Sequence, residues 1–192
     1  MSIKQYSQLN ATNDLKQDHL IVRRLGEITQ RCSEKLYANE IIPFEDLEII
    51  SVVIEEFVDR FHHGKEEQAY FPETKDKDSF SEDIRKFLIE HELGRRIARM
   101  FFRNLKAWKE HKVDSREPVA RFLKSYSVFI TDHTGKEDSF FNLIQHKGSI
   151  SNEEDEILIK HFQSCGNQVG GAARIEQMVK LIEYLEGREW MK

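Results

Sequence analysis

The sequence predicts an all-α protein: an up-down-up-down four-helix bundle with an additional C-terminal helical segment. Three observations carry that expectation. The 192-residue chain holds only 3 prolines and 9 glycines, so few positions break a helix. Four long stretches repeat apolar residues at helical spacing. The connections between them are short and polar, which sets successive helices antiparallel.

The first helix is expected over 12–38, opening on the capping cluster Thr12-Asn13-Asp14, with Leu15, Val22, Leu25 and Ile28 on one stripe and an end near Asn39. Pro43 stands where a second helix begins; Leu47, Ile50, Ile54, Phe57, Val58 and Phe61 continue it to about residue 70, and Pro72 is expected to close it. A third helix spans about 80–111 through Ile84, Phe87, Leu88, Ile97, Phe101 and Leu105. Pro118 marks the start of the fourth, which carries Phe122, Tyr126, Phe129 and Ile130. These four form a domain over 1–148. Residues 149–192 form an extension, capped at Ser151 or Asn152 and interrupted by GNQVGG, that packs as two helices on the outside of the bundle.

The charge balance excludes several function classes. With 29 basic and 34 acidic residues the net charge is −5, and no Lys/Arg run stands clear of acids, so no nucleic-acid surface is expected. No apolar stretch is long enough to span a bilayer, and the start lacks a signal-peptide core. The two cysteines, Cys32 and Cys165, lie far apart and form no CxxC, which fits free thiols in a reducing, cytoplasmic setting.

One pattern recurs. HHGKEEQAYF begins at His62 and HTGKEDSFF at His133, so His62–Glu66 and His133–Glu137 are both His-x-x-x-Glu pairs one helical turn apart. Both sit on apolar stripes, where a carboxylate is costly unless a positive charge holds it ionised. His19 shares a stripe with Leu15 and Val22, and His91 shares one with Phe87, Leu88 and Ala98. A lone histidine on such a face is more often a hydrogen-bonded core residue; one from each of four helices, with two glutamates, points to metal ligands converging in a bundle core. Mixed imidazole and carboxylate donors suit iron or manganese better than calcium or a thiolate-rich zinc site.

The repeat also decides register. Thr134 occupies the place matching His63, so His62 and Glu66 are the expected ligands and His63 and Glu67 are expected behind them or at the surface. Glu137 and Asp138 compete in the second motif, and the repeat favours Glu137. Lys65 and Lys136 recur as well and are expected to be solvated. The aromatic residues beside the motifs, Phe61, Tyr70, Phe71, Phe129, Phe140 and Phe141, are expected to pack the core and limit water access.

These residues resemble the hemerythrin-like, or HHE, cation-binding domain: His19 in DHLIVRRL, His62 and Glu66 in FHHGKEEQAYFP, His91 in IEHELGRRI, and His133 with Glu137 in DHTGKEDSFF, over about residues 12–146. The resemblance implies a non-haem di-iron centre, oxo- or hydroxo-bridged, meeting dioxygen, nitric oxide or peroxide, with manganese or zinc as substitutes. The family's oxygen carriers place a second histidine four residues after the one at His91, where this chain has Arg95. Four imidazoles, two bridging carboxylates and one bridging oxygen fill about ten of the roughly twelve positions of two octahedral ions. Two open positions favour redox turnover of peroxide or nitric oxide over simple carriage, with a non-catalytic binding or sensing module acting through a protein partner as the alternative. Asp59 and Glu67 are candidates to close one position.

Overall fold

A computed structural model describes residues 10–110 and 116–192; among them every regular element is a helix, with no strand. Helix α1 is Ala11–Tyr37, α2 runs over 44–74, α3 is Ser81–Lys109, α4 is Arg116–Lys147, α5 is Asn152–Gln168 and α6 is Gly171–Glu186, followed by a short 3-10 turn at Glu189–Met191. The expected end of the third helix, about residue 111, falls in 111–115, outside the described residues, and α4 is already helical at Arg116, two residues before Pro118.

Capping chemistry sets most of the boundaries. Helix α1 starts earlier than its Thr-Asn-Asp cluster implies, because Asn10 is extended and its side chain accepts the Asn13 N–H at 2.9 Å. It ends at Tyr37, and Asn39 in the left-handed region (φ 60°) turns the chain away. Ser151 caps α5 in a reciprocal box with Glu154. Helix α5 runs through Gly166 and stops where Gly170 (φ 106°) allows the reversal into α6.

Helix α2 is the irregular element. It is α-helical over Phe44–Val53, widens to a π-helix over Ile54–His62, tightens at His63–Lys65, and widens again over Glu66–Tyr70 before ending as Phe71–Thr74. It therefore passes through Pro72 instead of stopping there. In the second wide turn the Phe71 N–H bonds back five residues to the Glu66 carbonyl, and this looser geometry admits a proline that an ordinary helix interior would not.

The longest helix contact is α1 against α4, followed by α3 against α4. Two apolar clusters fill the bundle. One is built on Val22, Leu25, Phe57, Phe61, Phe101 and Ile130, the other on Leu15, Tyr70, Phe71, Phe87, Phe140 and Phe141. On each of the four bundle helices the motif residues fall between the two, so a polar layer divides the core. Leu88, expected on the inner stripe of α3, is 41% exposed; the α3 face that turns inward carries Ile84, Phe87 and His91 instead.

The C-terminal helices pack against the bundle. Helix α6 adds Met178, Ile182 and Leu185 to the first cluster, and α5 adds Leu158 and Phe162 to the second. The chain end is locked by Asp46, fully buried at the start of α2, which accepts from Trp190 Nε1 at 2.7 Å and Arg188 Nε at 2.9 Å.

Candidate metal centre

All six residues expected to line the centre are buried and converge. His19 comes from α1, His62 and Glu66 from α2, His91 from α3, and His133 and Glu137 from α4, each at most 1% exposed. The structure adds a seventh. His63, expected behind the site or at the surface, is 3% exposed, with its ring stacked on His91 at 3.9 Å between centroids. The wide turns of α2 explain the correction. A π-helix advances fewer degrees per residue than an α-helix, so the neighbours His62 and His63 both face inward where an α-helix would splay them.

The seven residues form two groups suited to hold a metal ion: His63, His91 and His133; and His19, His62, Glu66 and Glu137, the ligand atoms of each lying within 4.8 Å of one another. The carboxylates connect the groups. Glu66 Oε1 is 3.5 Å from His62 Nε2, and its Oε2 is 3.4 Å from His91 Nε2. Glu137 Oε1 is 3.3 Å from His91 Nε2, while its Oε2 is 3.2 Å from His133 Nε2 and 3.3 Å from His19 Nε2. Glu66 thus presents one oxygen to each group, while Glu137 turns both oxygens toward the first and shares Oε2 with His19 of the second.

The backs of the rings are held as well. His19 Nδ1 meets Asp138 at 2.7 Å, His91 Nδ1 meets Glu67 at 2.7 Å, and His133 Nδ1 meets Glu90 at 2.8 Å. His62 Nδ1 lies 3.3 Å from Asp18. An Nδ1–H donated to a carboxylate leaves Nε2 as the lone-pair nitrogen aimed at the centre. A cation then braces each carboxylate: Arg23 on Asp138, Lys65 on Asp18, Lys136 on Glu90, and Arg95 on both Glu67 and Asp59.

This arrangement accounts for the repeated His-x-Gly-Lys-Glu. The glutamate faces the centre, and the lysine braces the carboxylate behind its own motif's histidine: Lys65 through Asp18 to His62, and Lys136 through Glu90 to His133. Lys65 is not solvated as expected but buried, at 1% exposure, whereas Lys136 is half-exposed. Asp138 braces His19 and leaves the inward place to Glu137. Glu67 and Asp59 pair with Arg95 instead of closing a coordination position, Asp59 standing 3.6 Å from His63 Nδ1. Of the neighbouring aromatics, Phe141 stacks on His19, Phe129 on His133 and Phe71 on His91.

The charges sort into two kinds. Burial, with the nearby His19 and His63, drives the His62 imidazole well below its ordinary pKa, and burial with the nearby His91 lowers His63 to about 4. Burial also opposes the charged form of His91, but hydrogen bonds to Glu137 and Glu67 outweigh it and raise that ring to about 9. His19 and His133 rise for the same reason, through Asp138 and Glu137 in one case and Glu137 and Glu90 in the other. Burial would keep Glu137 protonated, yet the surrounding imidazoles hold it well below the usual carboxylate range.

The donor set fits a metal. His19 Nε2, His62 Nε2, both His63 nitrogens, both Glu66 oxygens, His133 Nε2 and Glu137 Oε2 are buried without a hydrogen-bond partner in the protein. An unsatisfied buried polar group costs about 1–3 kcal/mol, more when charged. Metal ions there would satisfy one ring nitrogen of each histidine together with the Glu66 and Glu137 oxygens.

The sequence profile of the hemerythrin HHE cation binding domain matches residues 10–144, well over half of the chain, and the chain belongs to this family. No curated protein and no solved structure matches it. No described helix is long and apolar enough to cross a membrane.

Proposed function

We propose that this chain is a non-haem di-iron protein that binds a small oxidant, namely dioxygen, nitric oxide or peroxide, and reacts with it or senses it. The observation that carries the reading is the convergence of five unsatisfied or carboxylate-paired imidazoles on two glutamates that each reach both histidine groups. His63, His91 and His133 would hold one ion and His19 and His62 the other, with Glu66 and Glu137 available to both. Nitrogen and oxygen donors without thiolate favour iron, with manganese or zinc as substitutes.

The bound pair supplies electron exchange and a place for a small ligand. The protein's own residues do the rest. Asp138, Asp18, Glu67 and Glu90 fix the tautomer and orientation of four imidazoles. Phe71, Phe129 and Phe141 stack on the rings and keep bulk water from them. A cavity of about 220 Å³ lined by His63 together with Gly94, Arg95, Tyr126 and Phe129 has volume enough for a diatomic molecule or peroxide.

His63 changes the coordination count. Five imidazoles and two carboxylates shared between two octahedral ions would fill about nine of twelve positions; after one bridging oxygen, about one would remain. The fifth imidazole, which the carriers place where this chain has Arg95, comes from the neighbour of His62. That observation supports the second reading, a binding or sensing module acting through a protein partner. Anaerobic titration of the reduced, iron-loaded protein with dioxygen, nitric oxide and peroxide tests both. A stoichiometric spectral change without turnover supports binding or sensing, sustained consumption supports a redox enzyme, and no response to any of the three overturns the proposal.

A further inference from the structure

Lys65 is an unusual residue to bury. Its Nζ lies 2.5 Å from Asp18 Oδ2 and pairs with Asp14, both on α1. The same Asp18 oxygen stands 3.3 Å from His62 Nδ1. Two rings cover the ammonium, Phe61 at 4.5 Å and Phe162 at 5.1 Å to the centroids. Phe162 belongs to α5, beyond the residues that match the family domain.

We propose that Lys65 is a positioning residue for the metal centre, holding Asp18 against His62, and that helix α5 is the cover that makes this possible. A buried ammonium is costly unless fully paired and shielded. Asp14 and Asp18 supply the pairing, and the two rings supply a cation–π shield that excludes water. Remove the ammonium and Asp18 has no fixed counter-charge, so its grip on the His62 ring loosens. Remove Phe162 and water reaches the ammonium and competes for Asp18. The C-terminal helices thereby control the His19/His62 half of the centre, while the matching brace at His133 rests on the half-exposed Lys136 and is independent of them.

This inference rests on the metal-centre reading, and the experiment separates the two. Wild-type protein, Lys65→Met, Asp14→Asn, Phe162→Ala and Lys136→Met are loaded with zinc(II), a diamagnetic probe. Zinc affinity is measured by chelator competition, and the ring Nδ1–H signals are followed by nitrogen-15 nuclear magnetic resonance. Lys65→Met is expected to weaken zinc binding about 10- to 100-fold, as loss of a brace behind a ligand does. It should shift or abolish the His62 signal while those of His91 and His133 stay in place. Phe162→Ala and Asp14→Asn should move the His62 signal in the same direction by less, and Lys136→Met should move that of His133 instead. An unmoved His62 signal in folded, zinc-loaded Lys65→Met overturns the proposal; if that variant does not fold, an unmoved signal in both Phe162→Ala and Asp14→Asn overturns it. Wild-type protein that takes up no zinc overturns the metal-centre reading and this inference with it.

Discussion

At the scale of single residues, the five histidines differ in what a metal must displace. His91, His19 and His133 are raised by their carboxylate partners, whereas His62 and His63 are already neutral near pH 7. The folded pKa of His91, about 9, lies above its unfolded value of 6.5. In metal-free protein its pairing therefore stabilises the fold fully below pH 6.5, and that contribution is lost as pH rises through about 9. Metal binding opposes the proton, so metal affinity should rise with pH across this window, with about one to three protons released per chain at pH 7. Calorimetry in buffers of different ionisation enthalpy measures the release; none, with affinity flat from pH 6.5 to 9, would contradict the assignment. Gly94 makes a second residue-scale prediction. A Cβ there would stand 2.5 Å from the Phe129 ring, which stacks on His133 at 5.2 Å. Gly94→Ala should displace Phe129 and destabilise the protein by about 1–3 kcal/mol, read by denaturant titration.

At the scale of elements, most of the bundle was legible. Apolar spacing and polar breaks place α1, α3 and α4 within a few residues, because their packing obeys the ordinary helical period. Helix α2 departs from that period, and the departures coincide with the π-helical turns. Apolar spacing alone cannot mark a wide turn, so Pro72 reads as a stop, and the match of Thr134 to His63 turns His63 away from the centre. The trace in the sequence is the pair of doublets His62–His63 and Glu66–Glu67, two His-x-x-x-Glu pairs in adjacent registers, of which the comparison with Thr134 kept only one. The braces were illegible for another reason: Asp18, Glu90 and Lys65 reach their partners across helices, and a pairing between helices has no fixed spacing along the chain. The chain end shows the same dependence on long-range partners. Trp190→Ala removes a 7%-exposed indole and one of the partners of Asp46, and should cost about 3–5 kcal/mol in urea unfolding. A loss below 1 kcal/mol would mean that the closing turn is not docked as described.

At the scale of the whole molecule, the polar layer between the two apolar clusters is a weakness that a bound metal turns into a tie between four helices. Without metal, several buried polar atoms face one another with little compensation. A metal that binds the folded state alone adds about 2.7 kcal/mol of stability when its free concentration is a hundred times the dissociation constant. Chelated protein should therefore melt well below the loaded form, and identical melting curves would show that the layer is satisfied without an ion. The most direct test is elemental analysis of iron-reconstituted protein beside His63→Ala. On the proposed di-iron reading, the two carboxylates between histidine groups of three and two predict about two iron ions per chain in the wild type, and weaker retention of iron when the fifth imidazole is removed. A wild-type content of one ion or none, or retention unchanged in His63→Ala, would contradict the account.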